Sequence, residues 1–116
     1  MRDELIILIT KTAETENENG FVVEGSEVRS EIFARVKSVR ASEFYQAYSA
    51  GMELSYIFCI DPDDWKAAYA EDESGRTVKP GMVEYDGTMY RIVRVYRTDM
   101  GEIELTVQEA DHGNEL

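Results

Sequence analysis

The dipeptide Asp86-Gly87 constrains the fold of this chain more than any other feature of the sequence. It lies between residues 82–85 and residues 88–96, two runs rich in β-branched and aromatic side chains. An Asp-Gly pair between such runs predicts a two-residue β-hairpin of type I′, because both central residues of that turn need positive φ. The residues expected to share one face of the hairpin are Val83, Tyr85, Tyr90 and Ile92.

Alternation of apolar and polar residues predicts further strands on both sides of the hairpin. Residues 5–10 form a short β-branched run, and residues 21–28 and 31–39 follow as two separate strands. Residues 53–60 and 102–108 complete the set. The residues expected to point inward are Ile32, Ala34, Val36, Leu54, Tyr56, Phe58, Ile60, Ile103, Leu105 and Val107.

Two short segments have helical signals. Ser42 is a typical N-cap and Gly51 a typical stop, so a short helix is expected between them. Asp63 or Asp64 is expected to cap a second helix over residues 65–70. Residues 71–81, which contain two glycines and a proline, are expected to form a surface loop.

These elements together predict a mainly β fold, a small β-barrel or sandwich of six to seven strands with one or two short helices. The 116 residues are enough for one hydrophobic core and too few for two ordinary domains, so residues 1–116 are expected to form a single domain. The polar tail from residue 111 is expected to fray.

Charge is strongly and unevenly distributed. The 24 acidic and 12 basic residues give a net charge of -12, which argues against free nucleic-acid binding or binding to anionic membranes. The segment 29–40 is basic, whereas residues 14–27 and 61–73 are acidic. The basic side chains either form a solvated strand face or complement an acidic stretch of a neighbouring copy. They are Arg29, Arg35, Lys37 and Arg40.

The sequence offers little for catalysis or metal binding. The one histidine, His112, lies in the polar tail, and Cys59 lies in an apolar strand, where a thiol is usually packing material. The aspartates from residue 61 resemble the start of a calcium loop, but Lys66 occupies the position that needs glycine. We therefore expect no enzyme activity, no metal and no cofactor.

The cysteine count and the start of the sequence bear on where the protein is made. A lone cysteine cannot form an intramolecular disulfide, which fits assembly in a reducing cytoplasm. The apolar run at residues 5–9 is too short for a signal peptide or a membrane span, so no membrane partner is expected.

Four segments in this order resemble the phage head-tail joining family, also called head-closure or stopper proteins. They are Arg-Val-Lys-Ser-Val at 35–39, Ser-Glu-Phe-Tyr-Gln-Ala at 42–47, Tyr-Ile-Phe at 56–58, and the hairpin region 83–92. The resemblance extends over residues 5–109. Residues 62–81 are longer than the short connection typical of the family.

The resemblance implies a virion protein that is made in the cytoplasm of the bacterial host. It would form a ring, of about twelve copies in the virion, between the portal-adaptor complex and the tail. The implied partners are further copies of itself, the portal or adaptor protein and a tail-completion protein. Packaged DNA would pass through without sequence-specific binding, and an acidic channel suits that passage because phosphates meet few cations.

The resemblance also implies that residues 38–52 project toward the ring axis, and their many small side chains predict a mobile element that acts as a gate. Phe33 and the aromatic residues of this segment either cap the barrel or, if exposed, anchor subunit contacts. The expected gate residues are Ser42, Glu43, Phe44, Tyr45, Ala47 and Tyr48.

Two other functions remain open at this level. The chain could be another β-barrel subunit of the tail, such as a tail-completion or terminator protein. It could also be an acidic inhibitor that mimics DNA, although such a mimic should present one continuous acidic face, and here the basic segment 29–40 interrupts the acidic ones.

Overall fold

The computed structural model is mainly β. It describes residues 2–12, 15–16, 20, 22–23, 25–37 and 56–110. The strands are β1 (Glu4–Lys11), β2 (Thr15–Glu16), β3 (Val22–Val23), β4 (Glu27–Lys37), β5 (Tyr56–Ile60), β6 (Ala70–Glu71), β7 (Thr77–Val78), β8 (Met82–Tyr85), β9 (Thr88–Arg97) and β10 (Ile103–Glu109), and the helix is α1 (Pro62–Ala67).

Six strands close into an antiparallel barrel in the order β1-β4-β5-β10-β9-β8, which confirms the predicted fold class. Because every neighbouring pair is antiparallel, β1, β5 and β9 all end at the same end of the barrel. Helix α1 follows β5 there, so we call it the helix end. The β8–β9 turn lies at the opposite end, the hairpin end.

The barrel interior is filled by one face of each strand, as the alternation predicts. Phe58, Leu105 and Val107 are fully buried, and each such side chain contributes about 1.5–3 kcal/mol to folding. Of the other residues expected inside, Leu54 lies outside the described residues. Ile32, Ala34, Val83, Ile60, Tyr90 and Ile103 are buried, and Val36, Tyr56, Tyr85 and Ile92 are partly buried against the core.

Helix α1 differs from its predicted bounds. It begins at Pro62 rather than residue 65, because Asp61 and not Asp63 or Asp64 is the N-cap: the Asp61 carboxylate accepts the Asp63 N–H at 2.8 Å. Proline suits the first helical position because its missing N–H would be unpaired there. Trp65 of this helix joins the core cluster of the barrel.

A hydrogen bond fixes the helix over the barrel. The hydroxyl of Thr10, near the end of β1, donates to the carbonyl of Ala68 at 2.7 Å, and both residues are fully buried. Since Ala68 and Trp65 belong to the core, α1 covers the helix end.

Two strand predictions are corrected. Residues 21–28 and 31–39 are not two strands, because β4 runs without a break through residues 28–31 and pairs with β1 from Glu27 to Ala34. Continuous pairing supplies partners for the backbone polar groups of that stretch, so it needs no turn. The expected loop at 71–81 contains the β6–β7 hairpin.

The predicted Asp86-Gly87 turn is confirmed by its backbone angles. Asp86 has φ +51° and Gly87 has φ +79°, so both central residues lie in the left-handed region that a type I′ turn requires. The turn joins Tyr85 to Thr88, which face each other in the register of β8 and β9.

Candidate assembly surfaces

The basic residues near the end of β4 are neutralised within the same chain. Arg35 donates to Glu102 at 2.7 Å, and Lys37 donates to Glu104 at 3.0 Å. Arg2 binds the other carboxylate oxygen of Glu102 at 3.0 Å. These five side chains form an ion-pair cluster on the outer face of β4, β5 and β10, because β5 lies between the other two strands.

Cys59 lies under this cluster. It faces Arg35 across the β4–β5 pair and Glu104 across the β5–β10 pair, and it is fully buried. Burial raises the pKa of the Cys59 thiol above its usual value, with Arg35 opposing the shift. The thiol therefore stays protonated near neutral pH, which agrees with the packing role expected from the sequence.

Arg29 is also paired within the chain, at a more exposed position. Its guanidinium donates to Glu84 on β8 and, at 3.4 Å, to Glu27 on its own strand. The hydrogen bond to Glu84 is the main cause that raises the pKa of Arg29. Exposed pairs of this kind typically add less than about 1 kcal/mol, so their main effect here is to cancel charge.

Phe33 points outward from β4, as the alternation predicts, and 56% of it is exposed. Leu5 lies opposite it on β1 and is 49% exposed, so the two side chains form a small apolar pair on the barrel surface. This arrangement fits an interface anchor better than a cap over the barrel end. A role in subunit contacts for Phe33, Arg29, Arg35 and Lys37 stays a prediction, and Arg40 lies outside the described residues.

An aromatic cluster lies toward the hairpin end of the barrel. The Tyr85 ring is 5.6 Å from that of Tyr56 and 5.2 Å from that of Phe58, and Tyr90 lies 5.6 Å from Tyr56. These edge-to-face contacts are favourable for aromatic pairs. The Tyr85 hydroxyl donates to Glu4 at 2.6 Å, and this bond, with burial, raises the pKa of Tyr85 to about 12.

The expected gate residues and the C-terminal tail lie outside the described residues. This applies to the whole of residues 38–52 and to residues from 111 onward. The flanking residues are described: β4 ends at Lys37 and β5 begins at Tyr56, and both positions are at the hairpin end.

Sequence reasoning missed a second basic strand, β9. Arg91, Arg94 and Arg97 recur at intervals of three, and residues 87–98 contain no acidic residue. That pattern is present in the sequence, but the alternation of this strand indicated only its inward positions, Tyr90 and Ile92. In the structure Val95 is 47% exposed and Tyr96 43% exposed, so the end of β9 is both basic and apolar at the surface.

The described residues contain no group of three side chains suited to hold a metal ion, and among them no helix is both long and apolar enough to cross a membrane. Comparison with known proteins gives no match, either to a family model or to a curated sequence.

Proposed function

We propose that this chain is a structural subunit of a tailed bacteriophage or prophage. In this proposal it is a head-closure (stopper) protein that forms a ring between the portal-adaptor complex and the tail. The ring retains packaged DNA and receives the tail. The proposal rests on the order of segments that resembles the head-tail joining family, and the closed six-strand barrel supports it.

The observation that carries the proposal is where the described family-like segments lie on the barrel. The strand ends that flank residues 38–55, Lys37 and Tyr56, lie at the same end as the Asp86-Gly87 turn. A barrel with these two strand ends and a tight hairpin at one end can present docking elements there, because connections held by a rigid scaffold commonly carry binding functions.

The net charge of -12 supports passage of DNA. Several basic side chains of the described residues are paired within the chain, so they offer phosphates little free positive charge. A cation that is already paired with a carboxylate releases few counterions on contact with DNA, so this pairing and the net negative charge weaken binding to DNA. DNA can then leave the ring without adhering to it.

The test is a nonsense codon in this gene of the phage or prophage that carries it, with the wild-type gene supplied from a plasmid as the control. We expect tailless heads that lose their DNA, and normal tailed particles when the plasmid is present. Ordinary infectious particles without the plasmid would contradict the proposal.

A binding experiment separates head closure from a tail-terminator function. Purified protein is added to filled heads and to tails prepared from the mutant lysate, and the bound fraction is measured by sedimentation. Binding to heads restores tail attachment under the proposal. Binding to tails alone would assign the chain to the tail.

A further inference from the structure

Strand β9 extends beyond the strand that pairs with it on one side. β8 pairs with β9 only as far as Met82 and Arg91, and the Ile92 N–H then donates to the carbonyl of Gly81 at 3.0 Å. The residue before Gly81 is Pro80, which has no N–H and cannot continue a strand ladder. Within the described residues, β9 from 93 to 97 therefore pairs with β10 alone.

The free side of this segment, which we call the β9 edge (residues 93–97), has main-chain groups available for pairing. The Thr98 N–H donates to the carbonyl of Glu102 at 2.9 Å, so Thr98 faces β10. Hydrogen-bonding direction alternates along an antiparallel strand, so the N–H groups of Val95 and Arg97 face away from β10. An open edge of this kind is a template for another strand.

The β9 edge also carries positive charge that the described part of the chain does not neutralise. Arg97 is exposed and forms none of the ion pairs found among the described residues, whereas Arg29 and Arg35 are both paired. In a chain with a net charge of -12, a partner with surplus acidic residues suits this edge.

The chain itself provides a segment of that kind. The β6–β7 hairpin, which we call the acidic arm, has strands of two residues each that pair with each other and with no other described strand. Glu71 and Glu73 are exposed on its β6 side and belong to no ion pair among the residues described. Asp72 holds the turn by accepting the N–H groups of Ser74 and Arg76, each at 2.9 Å.

We propose that the acidic arm of one copy docks on the β9 edge of a second copy. The arm adds its β6 strand to the open edge, and Glu71 and Glu73 approach Arg97. Each copy then has one donor arm and one acceptor edge, so the contact is head-to-tail and can close a ring or extend a filament. This inference stands on charge and strand pairing and does not depend on the proposed phage function.

The test uses charge reversal and sedimentation velocity on the full chain. The runs are made at about 0.1 M salt, where a Debye length of about 10 Å screens the overall repulsion between copies more than contacts at the interface. We expect wild-type protein to associate at millimolar concentration. Arg97→Glu and Glu73→Arg should each weaken association about tenfold, because attraction is replaced by repulsion.

Mixing the two variants gives the sharpest result. The Arg97→Glu copy retains its arm and the Glu73→Arg copy retains its edge, so an equal mixture should associate more strongly than either variant alone. Lys66→Glu, on α1, changes the net charge as much as Arg97→Glu and should leave association unchanged. Thermal melts of all variants verify that the barrel stays folded.

A main-chain variant tests strand addition itself. Val95→Pro removes an outward N–H while sparing the hydrogen bonds to β10, and it should abolish association, whereas Val95→Thr should retain it.

Four results would overturn the proposal. They are wild-type protein that remains monomeric at millimolar concentration, association unaffected by Arg97→Glu, variants whose mixture associates no more strongly than either alone, and association that survives Val95→Pro in a folded barrel. Wild-type protein that stays monomeric but binds a DNA duplex through Arg97 would assign the edge to phosphates instead.

Discussion

Replacing Gly87 by alanine isolates the energetic contribution of the β8–β9 turn. Gly87 has φ +79°, and a Cβ placed on it would meet no atom within 4 Å. Alanine therefore causes no collision, and its cost lies in the left-handed backbone conformation, about 1–2 kcal/mol for an L-residue. Part of this cost is offset because alanine lowers the entropy of the unfolded chain, by about 0.4–1 kcal/mol.

Gly81 provides a matched control. A Cβ there also meets nothing within 4 Å, but its φ lies outside the left-handed region. Gly81→Ala should therefore be neutral or slightly stabilising. The unfolded-state contribution is common to both variants and cancels in their difference, which should equal the left-handed cost of about 1–2 kcal/mol.

The assay is thermal and urea unfolding of both variants followed by far-ultraviolet circular dichroism. For a chain of this size the difference corresponds to melting temperatures about 4–8 °C apart, with Gly87→Ala the lower. Gly87→Val should lower the free energy of unfolding more than Gly87→Ala does, because a β-branched residue tolerates positive φ least. Gly87→Asn should lower it less, because asparagine tolerates positive φ. Equal midpoints for Gly87→Ala and Gly81→Ala would refute the reasoning.

Three further predictions concern the core, the ion-pair cluster and the aromatic cluster. Phe58→Ala should lower the free energy of unfolding by about 3–5 kcal/mol in urea titrations, because the ring is fully buried. A double-mutant cycle of Arg35→Ala and Glu102→Ala should give a coupling energy of about 0.5–1 kcal/mol, since the pair is partly exposed; a value of zero would show that the contact adds no stability. In an absorbance titration, Tyr85→Phe should remove the signal of a phenol that ionises near pH 12. The same substitution should lower the stability of the barrel most below pH 10. The raised pKa means that the hydrogen bond to Glu4 stabilises the protonated form, so the stability difference from wild type should shrink as pH rises through 12; a difference independent of pH would contradict this assignment.

Local signals in the sequence were enough to predict much of the barrel. The Asp86-Gly87 turn, the inward faces of β4, β5 and β10 and the presence of a helix after β5 all follow from preferences that act over a few residues. The same local preferences gave wrong boundaries for the helix and for strand β4. The helix begins at Pro62, capped by Asp61, because β5 ends at Ile60. Strand β4 continues through residue 30 because β1 pairs with it from Glu27 to Ala34.

The surfaces were decided by the tertiary structure alone. Arg35 and Glu102 are 67 residues apart and meet because closure of the barrel places β5 between β4 and β10. The sequence could show that residues 29–40 are basic, but not that the chain neutralises Arg29 and Arg35 and leaves Arg97 without an ion pair among the described residues. Strand order determines which charges become neighbours, and it depends on how the whole chain closes around one core, so no short segment encodes it.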